Sequence, residues 1–318
     1  MISCTGNGDD NDRYEPVPIQ RLDSELAHYK EKADSDRQSV LSENSEALTA
    51  LVQILEGDSA AVADDVTVRS WSESAPVTMF QPLADSVFVD MAEHESSLGK
   101  MLARAGEMGL DLDEHTYVAA VWGRPQTVIF NGPYAFVALN HYLGADNEAY
   151  AHWPLYMRAM KTPEMLVYDI AEAELATKYP YNVTADKDNV LSRALYDGAL
   201  AWLKQKMAGD DNAARALGFT PEQMKSLAEN EGFMWQKLVT GKMLFSTDAD
   251  LIDRLLSPSP ASLPISPDAP GRAVRYTGYR IVAEYMAKYP DTTAAQLLSP
   301  DFYANPETLR KSGYSPAL

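Results

Sequence analysis

From Asn131-Gly132-Pro133 to the C-terminus the apolar residues recur at helical spacing with few breaks, and this one feature restricts the chain to a mostly helical fold. The period predicts helices over about Tyr134 to Tyr142, Pro154 to Lys178, Asn189 to Met207, Pro221 to Phe245, Asp248 to Leu256, Val274 to Tyr289, Thr293 to Leu298 and Pro306 to Ser312. Pro133 behind Gly132 fits a first helical turn, because proline has no amide hydrogen to leave unpaired there. Upstream, Leu41, Leu48, Leu51, Val52 and Leu55 predict a helix that Gly57 stops. Leu83 to Met108 predicts another, with a polar insert at Glu93 to Ser97 that can split it. Strand-like sequence is confined to Tyr117–Trp122 and Thr127–Phe130, which flank Gly123-Arg124-Pro125-Gln126 and predict a hairpin. The expected fold is mostly α (α+β), one helical domain over residues 17–318 with one small sheet or hairpin.

Residues 1–16 are rich in Gly, Asn and Asp and carry no period, so they are expected to form a disordered tether. Cys4 is the only cysteine, which excludes an internal disulfide and any cysteine-rich zinc module. The start Met1-Ile2-Ser3-Cys4-Thr5-Gly6-Asn7-Gly8-Asp9-Asp10 looks like the end of a bacterial lipoprotein signal, where a small residue precedes the cysteine that becomes acylated. The charged and apolar parts of such a signal do not precede it here, so a trimmed start is expected. The acidic run Asp9, Asp10 and Asp12 is similar to post-cysteine signals for surface display. The chain is long enough, at 318 residues with 46% hydrophobic content, to bury a sizeable core. Its formal charge of −19 repels phosphate backbones and argues against nucleic-acid partners. No apolar run reaches the about 18 residues of a membrane span, so membrane attachment is expected through a lipid anchor only.

Common catalytic signatures are missing: there is no HExxH pair, no G-x-S-x-G and no phosphate-cradling glycine loop. His141, in Asn140-His141-Tyr142, stands at the end of the helix expected after the hairpin, and reads either as a hydrogen-bonded packing residue or as a ligand. Glu231 sits one turn before Trp235, so it is either a structural acid against an aromatic face or a site acid. Arg272 and Arg275, next to Tyr276 and Tyr279, follow the proline-rich stretch Ser257 to Gly271. They read as a surface stacking cluster or as a carboxylate grip at the edge of a lid-like loop. The tryptophans Trp122, Trp153, Trp202 and Trp235 fall mostly at helical spacing with leucine and methionine and are expected in the core.

An ordered set of local patterns resembles the gliding-motility lipoprotein family GldB of Bacteroidetes. Val17-Pro18-Ile19-Gln20-Arg21-Leu22-Asp23 is similar to that family's opening strand and Arg-Phe-Asp element. Asn140-His141-Tyr142-Leu143-Gly144 is similar to its Asp-x-Tyr-Leu-Gly signature, and Tyr196-Asp197-Gly198 to its Tyr-x-Gly-Lys segment. Asn230-Glu231-Gly232-Phe233-Met234-Trp235, Ser266 to Arg272 and Gly278 to Met286 resemble three further pieces. Leu22, Asn140 and Ala199 depart from the usual Phe, Asp and Lys. The resemblance implies a more distant one to HExxH metallopeptidases, a zincin-like architecture in which His141 and Glu231 stand where zinc ligands would be. Val137 and Ala138 then occupy the first histidine and the catalytic glutamate, and neither side chain can ligate zinc or deprotonate a water.

These readings lead to an outer-membrane lipoprotein of the cell envelope with Cys4 as the lipidated residue and no cofactor. Its cleft, lined by Asn140, His141, Tyr142, Glu231, Trp235, Arg272, Tyr276 and Tyr279, is expected to hold envelope or motility and secretion-associated proteins. The alternatives are a zinc hydrolase using His141 and Glu231, and a glycan-binding lipoprotein.

Overall fold

The chain is mostly helical with one small sheet in the computed structural model, which describes residues 13–211 and 213–317. Cys4, the acidic run after it and most of the expected tether lie outside the described residues. The chain packs as two compact units. The first takes the residues up to Lys100 with Asp113–Gly144 and Thr162–Ile170; the second takes Met101–Leu112, Ala145–Lys161 and everything from Ala171.

The first unit holds the sheet. Its strands β1 (Ile19–Gln20), β2 (Thr116–Ala120), β3 (Val128–Asn131) and β4 (Tyr134–Ala138) lie in the order β1-β2-β4-β3. The first pairings are parallel, with Ile19 opposite Tyr117 and Val118 opposite Phe136. The hairpin is β3 with β4, Ile129 opposite Phe136, not the expected pairing of β3 with β2. Its two-residue loop is Gly132-Pro133, with Gly132 at φ 57°, and glycine first in such a loop is a hairpin-forming pattern. The helix expected over Tyr134 to Tyr142 is therefore a strand, continued by a 3-10 turn at Leu139–His141. The reason is burial. Ala135, Phe136, Val137 and Ala138 are all completely buried, so both faces of the strand are apolar and no alternation marks it.

A buried polar knot fixes the start of this unit. Arg21 donates to both oxygens of Asp23 at 2.9 and 3.0 Å, to Asp85 at 2.6 Å and to the carbonyl of Phe88. Gln81 donates to Asp23 at 2.7 Å. Asp23 is fully buried, and an unpaired carboxylate there would be costly, so the arginine is its necessary partner. Leu22 between them packs into the core.

Helices build the second unit. Val190–Ala208 and Ala273–Lys288 pass so close that neither can carry a side chain at the contact. A Cβ on Gly278 would collide with the carbonyl of Ala194, and one on Gly198 with the backbone of Gly278 and Tyr279. The long helices expected elsewhere are divided. Leu83 to Met108 is split between Ala75–Val87 and Ala92–Glu107 ahead of the polar insert, which is itself helical. Pro154 to Lys178 becomes Leu155–Arg158 and Met165–Lys178, and Pro221 to Phe245 becomes Pro221–Glu229 and Glu231–Thr240. The proline-rich stretch is pinned, not lid-like. Buried Ser262 donates its hydroxyl to the Pro270 carbonyl at 2.9 Å and accepts the Ala273 amide at 3.0 Å.

The close crossing gives a test. Gly278→Ala or Gly198→Ala is expected to lower unfolding stability by about 1–3 kcal/mol or more, the range for overpacking a rigid contact. Gly106→Ala, in a helix with nothing within 4 Å of the added carbon, is expected to raise it by roughly 0.5–1 kcal/mol. Denaturant titration of the three variants measures both signs.

Candidate functional site

Asn140, His141 and Tyr142 follow β4 in the first unit, and each is held by a protein group. The Asn140 amide accepts the Trp122 N–H at 3.2 Å and donates to the Trp122 carbonyl at 3.0 Å, standing in for a strand partner just beyond the last β2–β4 pair. A carboxylate could only accept, so asparagine suits this position. His141 is 4% exposed and its Nε2 lies 3.0 Å from the Arg124 carbonyl, which requires the proton on Nε2. The Tyr142 hydroxyl donates to Asp169 at 2.9 Å. Val137 and Ala138, placed by the resemblance on a zinc-site helix, are buried strand residues opposite Ala119 and Ala120.

Glu231, Trp235 and Tyr276 come together in the second unit. Glu231 opens the helix Glu231–Thr240, where its charge suits the positive helix end. Its carboxylate accepts from Arg280 Nε at 2.8 Å, from the Tyr314 hydroxyl at 2.9 Å and from the Tyr276 hydroxyl at 3.2 Å. Trp235 meets the Tyr314 ring edge-on, with centroids 5.1 Å apart. Burial pushes the Tyr276 hydroxyl up to about 12, and the neighbouring Glu231 charge adds to it. Sequence reasoning missed Arg280 and Tyr314. Arg280 lies four residues after Tyr276 in the predicted helix, on the same face, the one signal that could have found it. Arg272 and Tyr279 go elsewhere: Arg272 donates to the Gly218 carbonyl at 3.1 Å and Tyr279 to Gln205 at 2.7 Å.

The carboxylate grip expected near Arg272 and Arg275 exists, inside the chain. Arg275 Nη2 reaches both oxygens of Glu172 at 2.9 and 2.8 Å, and Lys204 Nζ shares one of them. The side chains of Lys204 and Arg275 are only 2% and 8% exposed, so both cations need that anion. Burial alone would push the Glu172 carboxyl up, but Arg275 and Lys204 outweigh it and hold it well below the ordinary range.

A cavity of about 440 Å³ opens beside the same helix. Arg193, Tyr196 and Asp197, spaced along one face of Val190–Ala208, line it with Tyr181 and Asp188. The helix Ala249–Leu256 closes the other side with Ile252 and Asp253. Arg193 donates to both oxygens of Asp188 at 2.6 and 2.7 Å. Burial pushes the Asp197 carboxyl up, against the pull of Arg275, and Glu172 adds to the rise. Sequence reasoning named Tyr196 and Asp197 only as part of a pattern and missed the rest, since three separate segments make the wall. Among the described residues no three His, Cys, Asp or Glu side chains converge as a metal site would require, and no helix is long and apolar enough to cross a membrane.

Fold and site together define a mostly α protein with a small mixed sheet, in which buried Asp23 is paired with Arg21 and buried Lys204 and Arg275 with Glu172. The family model for gliding motility protein GldB matches residues 7–316, and the chain belongs to that family of gliding-motility lipoproteins. Neither a curated protein nor a solved structure matches it.

Two variants test the electrostatics. Because the folded Glu172 pKa lies below its unfolded value of about 4.3, its stabilisation is present above that pH and lost as pH falls through the folded value. Glu172→Gln is therefore expected to melt below wild type at neutral pH, with the gap narrowing in acid. Asp197 has the opposite sign: its raised pKa penalises the charged form above the unfolded value of about 3.9. Asp197→Asn is expected to melt at or above wild type at neutral pH. Calorimetric melts across pH measure both.

Proposed function

We propose that this chain is a lipid-anchored protein of the cell envelope, on the outer membrane, that acts by holding other envelope or motility and secretion-associated proteins and not by catalysis. The family supplies the setting, and Cys4 is the anchor. A single acyl chain holds weakly, so Cys4 carries more than one chain in this reading.

The observation that carries the non-catalytic part is the commitment of the polar groups that a hydrolytic centre would need. The His141 nitrogen that would face a metal is bonded to the Arg124 carbonyl. The Glu231 carboxylate is spread over Arg280, Tyr276 and Tyr314. A general base or metal ligand must present a lone pair to the reacting group; Nε2 of His141 carries a proton that it gives to a carbonyl, and Glu231 presents its lone pairs to three donors of the fold.

Metal content by plasma mass spectrometry, on protein purified without chelator or histidine tag, tests the reading. The expected result is far less than one zinc per chain in both wild type and His141→Ala. One zinc per chain that His141→Ala loses, with peptide hydrolysis that follows it, overturns the reading. Labelled palmitate entering the wild-type chain in cells, and not Cys4→Ala, is the expected outcome for the anchor.

A further inference from the structure

We infer that the cavity between the helices Val190–Ala208 and Ala249–Leu256 is a binding site for an alkyl-guanidinium or alkyl-ammonium group, the end of an arginine or lysine side chain or of a free amine. The inference rests on the reading of this chain as a binding protein and names the chemistry it binds. The volume, about 440 Å³, falls in the range of roughly 300–1,000 Å³ common for small-ligand sites.

The lining is selective because most of its hydroxyl donors are spent. The Tyr181 hydroxyl is bonded between Asp188 and Ser192, at 3.1 and 2.8 Å. The Tyr196 hydroxyl donates to the Tyr179 carbonyl at 2.8 Å. Arg193 gives two of its five N–H groups to Asp188 and stacks 5.1 Å over the Tyr181 ring, with its remaining N–H groups at the exposed side of the wall. Ser257 donates to Asp253 at 2.5 Å. Thr247, at the exposed rim, is the lining hydroxyl left over.

What remains is acceptor capacity. No donor among the described residues reaches the half-buried Asp197 carboxylate, and Asp253 at the mouth keeps an oxygen for a ligand. The Asp188–Arg193 pair cancels, and Asp197, which Arg275, Arg272 and Arg193 reach through space without a hydrogen bond, supplies with Asp253 the remaining acceptors of the wall. A half-buried carboxylate without a hydrogen bond carries a desolvation cost that a donating ligand removes. A sugar needs acceptors and donors in turn, whereas guanidinium and ammonium groups only donate. Ile252, Leu256 and the faces of Tyr181 and Tyr196 give apolar wall for the alkyl stem, which long basic side chains lay along such surface. Asp197 at the floor and Asp253 at the rim place the charge at the end of that stem.

The test titrates the full chain calorimetrically with agmatine and with the blocked peptide acetyl-Gly-Arg-Gly-amide, using chitobiose as the neutral comparison. Both cationic probes are expected to bind, Asp197→Asn to weaken them at least about tenfold, and Asp253→Asn to weaken them less. Melting of Asp197→Asn at or above wild type shows that the loss is not unfolding. Tighter binding of the peptide assigns the site to a basic side chain of a polypeptide, and tighter binding of agmatine assigns it to a free amine. The inference is overturned if neither cationic probe binds, if Asp197→Asn leaves their affinity unchanged, or if chitobiose binds more tightly than both. Zinc-dependent hydrolysis lost in His141→Ala would instead remove the binding-protein reading and leave these titrations to decide the cavity by themselves.

Discussion

The approach of two helices at Gly198 and Gly278 sets the rest of the second unit. With backbone packed on backbone there, the residues one turn away on either helix are carried into the interior whatever their charge. Arg275, three residues before Gly278, is such a residue, Lys204 is buried further along the other helix, and two buried cations cannot stand without an anion. Glu172 supplies it from a third helix, so the pairing of three helices is written into one electrostatic requirement. Asp197, adjacent to the glycine, is carried inward by the same geometry but finds no donor, and the cavity beside it is the place where the packing leaves charge unanswered.

Several pieces that carry the family resemblance turn out to be architectural devices. Gly198 and Gly278 permit the crossing, Asn140 closes the open end of two strands, and Arg21 neutralises buried Asp23. Glu231 ties the start of one helix to Arg280 and to Tyr314 near the C-terminus. Each requires a particular chemical group at a particular place, which is why scattered short patterns, and not one long motif, mark this chain as a member of the family.

Much of the helical architecture was readable because those helices are half exposed or plainly capped. Val190–Ala208 begins at the Asn189 cap and ends at Gly209, and Ala249–Leu256 separates its apolar and polar faces sharply. Strand β4 was not readable, since a segment buried on both faces shows neither a period of two nor one of 3.6. The break before Met165 coincides with Pro163, a local breaker that the long apolar period masks, and the break at Asn230 falls just ahead of Gly232. Within the site, Glu231 and Trp235 were legible as neighbours through helical spacing, and Tyr276 only as a candidate lining residue beside Arg272 and Arg275. Tyr314 and the three-segment cavity were not, because their partners are distant in sequence. Arg275 was legible as a carboxylate grip, but nothing local could say that Glu172 would fill it.

The parallel pairing of β1 with β2 has a consequence for the order in which the molecule can form. Ile19 has to wait for Tyr117, and β2 in turn waits for Phe136, so an emerging chain carries most of its first unit before the sheet has a second strand. The helices made in between can form locally and pack on one another, but the faces that meet the sheet have nothing to cover until then. Long-range closure of this kind is slow compared with local helix formation. A polypeptide that must pass a membrane as an open thread is served by such a delay: the part that enters first is also the part that cannot yet fold.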